Sequence, residues 1–369
     1  MSGIFGTKLR KERESLGLSQ KELSQAVNLS RPFISSLELG KSMPSIETLT
    51  SLATFFKKDV SDFLKEKEDT FKVILQEKGL DKKGRKELRK FKTHCEDCLF
   101  LEELTGRRLE LAPFYTSTSA ERLAEEERRR LGIGDEPIRD IFSLLELSGM
   151  HILRLLIPEK SNISGIFIFL EAEKAAFALI NTAHPLEEQA LIAAHEYCHF
   201  LVDRNAGLII DNPDVFIQDF VSLYHPRERF AQTFAVWLLI PPSRIEKTID
   251  KDLRSKKLNP ADVFYLRHYF GVSTSAMLQV LEKLGYLAQS KVQEYLSLEQ
   301  ADYDLFSGKP KEMRGFMRKK GGLILSNRFK SLALEAYQRK KLPAERLEQL
   351  LGREDERVIR AFGKLKIKK

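Results

Sequence analysis

The sequence predicts an α+β protein, mostly helical, in which a small sheet supports one long buried helix. Three observations carry that expectation. Apolar residues recur at intervals of three and four over most of the chain, broken by turn residues, as in short packed helices. Three compact apolar runs, Ile152 to Leu156, Ile166 to Leu170 and Ala176 to Ile180, have the length of strands. Directly after them, Leu186 to Val202 returns to a helical period. A length of 369 residues implies about two to three domains, and 42% hydrophobic content is ordinary for packed cores.

Residues 6–64 read as five short helices. Ser19 and Glu22 form a Ser-x-x-Glu capping box at the start of the second. Asn28-Leu29-Ser30 makes a turn, and Ser30 caps a third helix that carries Ile34 and Leu37 inward. Gly40 ends that helix, and Pro44-Ser45 leads to a fourth with Leu49, Leu52 and Ala53. The order L-S-Q-K-E-L, I-S-S-L-E-L-G-K and a following Pro resembles the XRE (Cro/repressor-like) helix-turn-helix family. The resemblance implies binding to double-stranded DNA through a helix in the major groove. By matched position, Arg31, Pro32 and Ser36 would face bases while Gln20 and Lys41 meet phosphates. A guanidinium can grip guanine O6 and N7 together, which makes Arg31 the first candidate base reader. A phosphate contact or a plain solvated charge is the competing reading for it. One such domain buries too little for tight specific binding, so a homodimer on a two-fold site is expected.

Charge is divided along the chain. Residues 67–92 hold 10 basic against 5 acidic side chains and read as a charged helix or linker interrupted by Gly79 and Gly84. Residues 93–306 hold 22 basic against 33 acidic, and residues 307–369 hold 19 against 7. An acidic body repels nucleic acid, so phosphate is expected only near the ends. The basic C-terminal block has three readings: a DNA contact, a surface for an acidic partner, or solvated helices, the commonest outcome. No run of eighteen apolar residues exists to cross a membrane. The start, Met1 to Phe5, lacks the pattern of a secretory signal. Three Cys suit a reducing cytosol, so a cytoplasmic protein is expected. Cys95 and Cys98 form a lone C-x-x-C without further suitably spaced ligands and read as ordinary helix residues.

Phe142 to Leu145 reads as a helix ahead of the strands. In the helix that follows them, His195-Glu196-Tyr197-Cys198-His199 reads H-E-x-x-H. A spacing of i, i+4 puts both imidazoles on one face, one turn apart, where they can share a Zn²⁺. Glu196 then sits beside the metal, placed to take a proton from a water. Pro185 suits the helix start, Glu187 and Glu188 favour its positive end, and Asp203, Asn205 and Gly207 mark its exit. A catalytic zinc wants three protein ligands and one open position. Pro226 to Leu239 reads as a second helix with Glu228 in its first turn and the small residues Ala231 and Ala235 on the same face. Close approach there would let Glu228 reach the metal, with Gln232 orienting a ligand by hydrogen bond. Taken alone, Glu228 is a solvated helix-start carboxylate, as most such Glu are. His225 competes as ligand, and its plain reading is a cap or surface residue.

The string Ala193 to His199, followed by Glu228-Arg229-Phe230-Ala231-Gln232-Thr233-Phe234-Ala235 and Leu238-Leu239-Ile240-Pro241, resembles the ImmA/IrrE family of metallopeptidases. The runs from Gly165 and Phe177 resemble the sheet that precedes the catalytic helix in that family. The resemblance implies a zincin-like peptidase domain in which His195, His199 and Glu228 ligate zinc and Glu196 is the base. Two departures stand out: Cys198 replaces the usual Gly and Gln232 the usual Asn or Asp. Both leave the ligands intact. Residues 260–285 repeat helix-turn-helix grammar, a segment the family places directly after the peptidase, and residues 326–362 read as a terminal helical unit.

The expected organisation is a DNA-binding domain at 1–66, a charged helical linker at 67–115, a metallopeptidase domain at 116–255 and a helical region at 256–369. The expected function is a regulatory zinc endopeptidase that cleaves a helix-turn-helix repressor in a stress response, with Mn²⁺ an alternative metal and Tyr224 or His225 stabilising the oxyanion. The alternative is a transcription factor whose peptidase fold is a non-proteolytic ligand or metal sensor. The intact Glu196 favours the enzyme, because sensing needs the ligands but not the base.

Overall fold

The computed structural model describes residues 5–6, 9–10, 12–13, 18–56, 60, 82–117, 119–212, 225–253, 257–306 and 324–351. The chain divides into two compact units, Met1–Lys72 and Val73–Lys369.

In the first unit, α1 (Gln20–Ala26), α2 (Arg31–Glu38) and α3 (Ile46–Phe56) are the full helices among the described residues. The Ser19–Glu22 capping box is formed in both directions, and the Ser30 hydroxyl accepts from the Phe33 N–H at the start of α2. Asn28 (φ 52°) takes the left-handed turn between α1 and α2, a conformation Asn tolerates better than most residues. Leu23, Ile34, Leu37 and Leu52 meet Phe5 and Leu9 in one apolar core. Beneath it, the Arg13 guanidinium grips the buried Glu38 carboxylate at 2.6 Å.

The second unit is built on a four-stranded sheet of order β1-β3-β2-β4. The strands are β1 (Met150–Leu155), β2 (Gly165–Leu170), β3 (Ala175–Asn181) and β4 (Leu208–Asp211). β1 runs parallel to β3, and β2 runs antiparallel to both β3 and β4. Every residue of β3 is buried, which explains its unbroken apolar run. The fourth strand is absent from the sequence expectation. Only four residues long, and following the left-handed Gly207, it carries too little alternation to read as a strand.

Ahead of the sheet come α4 (Lys82–Thr105), α5 (Ala120–Arg130) and α6 (Ile141–Leu147). After it come α7 (Leu186–Val202), α8 (Pro226–Leu239) and α9 (Pro242–Thr248), then α10 (Pro260–Phe270), α11 (Thr274–Lys283) and α12 (Gln289–Phe306). Two terminal helices follow, α13 (Asn327–Gln338) and α14 (Ala344–Leu351). α7 packs on β2 and β3 with one face and on α8 with the other, so nearly all of its last three turns are buried. α5 packs on the far side of α8, where the buried Arg128 donates to the Leu238 carbonyl that α8 leaves open at its C-terminus. The segment read as a linker holds α4, a helix that runs through Gly84 without a break. Leu88, Phe91, Cys95, Cys98 and Leu101 line its buried side, and it packs against α13. Cys95, Cys98 and Cys198 are buried free thiols. No helix among the described residues is long and apolar enough to cross a membrane.

Candidate metal centre and DNA-facing surface

His195 and His199 stand one turn apart on α7, fully buried, with their Nε2 atoms 3.1 Å apart. Glu228 is the third residue of α8, and its Oε2 lies 3.2 Å from His195 Nε2 and 3.3 Å from His199 Nε2. The small faces of Ala231 and Ala235, both fully buried, let α8 lie close enough to α7 for this contact. A fourth donor comes from the sheet. Asp211, the last residue of β4, places Oδ2 3.4 Å from His195 Nε2 and 3.7 Å from His199 Nε2. The four donor atoms lie within 4.8 Å of one another.

Glu196 is buried beside this cluster. Burial first, then the Asp211 charge, pushes its carboxyl well above the usual carboxylate range. For Glu228, burial works the other way from its partners. Hydrogen bonds with His195 and His199 win and hold its carboxyl well below the usual range. Burial likewise disfavours charge on His199, but hydrogen bonds with Asp203 and Glu228 and the nearby carboxylates raise it to about 9. Three carboxyl groups and two imidazoles are thus packed together in the buried interior. Asp211 Oδ2 and both Glu196 oxygens have no hydrogen-bond partner among the described residues. Buried oxygens left that way are costly, and a divalent cation held by the two imidazole nitrogens and the carboxylates of Glu228 and Asp211 would satisfy Asp211. The residues fit the metal that the motif implies.

Neighbouring residues orient the cluster. Asp203 Oδ2 lies 2.8 Å from His199 Nδ1, which turns Nε2 toward the site and fixes the tautomer that presents it as a ligand. Arg227 Nε donates to Glu228 Oε1 at 2.8 Å, leaving Oε2 to face the imidazoles. On the opposite side of α7, Tyr197 donates to Glu127 Oε2 at 2.6 Å, and Tyr115 and Arg130 bind the same carboxylate. That network anchors the helix from behind.

His195, Glu196, His199 and Glu228 thus come together as the sequence predicts. Gln232 is buried one turn after Glu228, and its Oε1 has no hydrogen-bond partner among the described residues. His225 is the exposed N-cap residue of α8 and makes no capping bond with its side chain. Tyr224 lies outside the described residues. Sequence reasoning missed Asp211 and the role of Asp203. Asp203 carries a usable signal, four residues after His199, within the segment that reads as a helix exit. Asp211 carried none, because only the pairing of β4 with β2 brings it to the site.

In the first unit, Arg31 and Pro32 are exposed in the first turn of α2, and Lys41 is exposed just beyond it. Ser36 is half-buried, its hydroxyl 2.6 Å from that of Ser42. Gln20 donates to Glu38 Oε2 at 2.9 Å. Arg31, Pro32 and Lys41 therefore offer free side chains, whereas Ser36 and Gln20 are engaged within the fold.

Two families match this chain: the helix-turn-helix over residues 9–63 and the IrrE N-terminal-like domain over residues 159–282. The second match begins at the sheet and takes in α10 and α11. The protein thus joins an XRE-type DNA-binding domain of transcription regulators to an IrrE/ImmA-like domain of a metallopeptidase-like family. A helix-turn-helix-type transcriptional regulator, DdrOP3 of Deinococcus deserti, is 42% identical over 57 residues, 15% of this chain and 44% of that protein. The match therefore spans less than half of that relative. Among solved structures, ComR from Streptococcus suis is 15% identical, with 97% of this chain and 96% of that one covered and a TM-score of 0.16. PlcR from Bacillus thuringiensis, in complex with the peptide PapR7 and DNA, is 14% identical, with 86% and 100% covered and a TM-score of 0.17. At such scores neither likeness assigns a fold to this chain.

Proposed function

We propose that this chain is a cytoplasmic DNA-binding regulator carrying a metal-dependent endopeptidase that cleaves a helix-turn-helix repressor or a related regulatory protein under stress. The observation that carries this reading is the convergence of His195, His199 and Glu228, from two helices, with Glu196 buried beside them. Bound there, Zn²⁺ would acidify a water and polarise a peptide carbonyl; Mn²⁺ is a second fit to imidazole and carboxylate donors. Glu196 accepts the proton of the attacking water and delivers it to the leaving amine. Asp203 keeps His199 in its ligating tautomer, and Arg227 keeps Glu228 aimed. No contact of His225 with the cluster supports an oxyanion role for it. The exposed Arg31, Pro32 and Lys41 would deliver the enzyme to an operator, with a homodimer matching a two-fold site.

A second reading is favoured by Asp211. Four protein donors suit a metal sensor at least as well as an enzyme. Wild-type chain and a Glu196→Gln variant, expressed side by side in the same cells, separate the two. Under the peptidase reading, a cellular protein loses its intact length only with the wild type, and regulation fails in the variant although metal is retained. Regulation that survives Glu196→Gln would leave the sensor.

A further inference from the structure

We propose that Asp211 is a fourth protein ligand of the metal centre, so that the site is coordinatively closed and the peptidase latent until β4 releases that carboxylate. This rests on the metal-centre reading and deepens it. Four donors arranged tetrahedrally around one ion at the usual zinc bond lengths stand about 3.3–3.4 Å from one another. Five of the six donor pairs here are 3.1 Å (His195–His199), 3.2 Å (His195–Glu228), 3.3 Å (His199–Glu228), 3.4 Å (His195–Asp211) and 3.7 Å (His199–Asp211), and the sixth, Asp211–Glu228, is within 4.8 Å. Asp211 Oδ2 faces both imidazole nitrogens and completes a cluster of four donor atoms that lie within 4.8 Å of one another. It is buried, and its Oδ2 has no hydrogen-bond partner among the described residues.

Closure has a chemical consequence. Catalytic zinc sites keep one position open, whereas four protein ligands are the mark of a site that does no chemistry as it stands. Yet Glu196, which a structural site does not need, is already in place beside the cluster. The machinery is complete apart from the open position, and Asp211 fills it. Its strand is the one suited to leave. β4 is four residues long and, among the described residues, lies at the sheet edge and pairs with β2 alone. Asp211 ends it, held by the 2.8 Å bond from the Ser164 N–H to its carbonyl. The ends of short edge strands are among the least costly parts of a fold to open. Unpairing this end withdraws the carboxylate and leaves His195, His199 and Glu228 undisturbed on their helices.

The test uses the full-length chain, stripped with a chelator and titrated with Co²⁺, whose visible absorption reports coordination. Acetohydroxamate, a small chelating ligand, then probes for an accessible position. The wild type is expected to bind Co²⁺ with the intense absorption of a four-coordinate site and to ignore acetohydroxamate. Asp211→Ala should bind Co²⁺ on the order of 10- to 100-fold more weakly and change its spectrum when acetohydroxamate is added. Asp211→Asn, which preserves shape, guards against misfolding and should respond in the same direction. The inference is overturned if both variants keep the wild-type affinity and spectrum, or if the wild type responds to acetohydroxamate as they do. Failure of the underlying reading looks different: the wild type takes up no Co²⁺ and His195→Ala is indistinguishable from it, which removes both.

Discussion

A Cβ on Gly165 would lie 1.8 Å from Glu196 Oε1, so the first residue of β2 can only be glycine while that carboxylate occupies its place. The same atom would meet Ile192 Cγ2 at 3.0 Å, which closes the alternative direction. The requirement is one of space and involves no unusual backbone angle. Gly165→Ala should therefore cost about 1–3 kcal/mol in urea unfolding, as overpacking does. In a Glu196→Ala background the same change should cost far less, because its collision partner is gone. Additive costs in this double-mutant cycle would contradict the contact.

Asp203 turns the ring of His199 by a bond to Nδ1. Asp203→Ala should lower Zn²⁺ affinity on the order of 10- to 100-fold in a chelator competition, with the fold retained. An unchanged affinity would mean that the helix alone sets the ring.

Behind α7, Tyr197 and Tyr115 each bind Glu127, which Arg130 also grips with two nitrogens. Tyr197→Phe removes one donor and leaves Arg130 to satisfy the carboxylate. The expected loss is about 1 kcal/mol. Glu127→Ala removes the shared acceptor of both tyrosines and of Arg130, leaving only the Arg130–Tyr197 bond, and should cost more, about 2 kcal/mol or above. Urea midpoints of the two variants check the ranking.

The α4–α13 layer holds two groups that titrate in opposite senses. Burial raises Glu146 to about 7 from 4.5, despite a bond with Ser326 and the charge of Arg328. Its proton favours the folded state below pH 4.5, and that advantage is lost as pH rises through 7. Burial, with the charge of His151, lowers His94 to about 3 from 6.5. Its neutral form supports the fold above pH 6.5, and that support is lost as pH falls toward 3. Glu146→Gln should gain about 1–2 kcal/mol over the parent at pH 8 and nothing at pH 4. His94→Gln should flatten the acid side of the stability curve. Thermal melts across pH decide both.

Arg31 is exposed in the first turn of α2. If it reads a base, Arg31→Ala relaxes preference at one operator position by about 1–3 kcal/mol; a phosphate contact instead weakens all sequences alike and lowers the salt slope by about one. Binding to an operator and its point variants at two salt concentrations separates these outcomes.

The parts of the site that lie on helices were legible because helical spacing is local. His195 and His199 share a face by arithmetic, and Glu228 falls in a first turn with small residues behind it. Asp211 was not legible, since strand pairing across the sheet is a long-range fact that no spacing encodes. The segment read as a charged helical linker holds α4, and Leu88, Phe91, Cys95, Cys98 and Leu101 recur at three and four along its buried side. The sequence places Gln232 beside the metal ligands, and its amide oxygen meets no donor among the described residues.

The central claim is that two imidazoles and a carboxylate from separate helices grip a single divalent ion. Elemental analysis of the purified full-length chain, beside His195→Ala, His199→Ala and Glu228→Ala, measures it directly. The account predicts stoichiometric metal in the wild type and a sharp loss in each of the three variants. A wild type without metal, or a Glu228→Ala variant that keeps its full share, would contradict it.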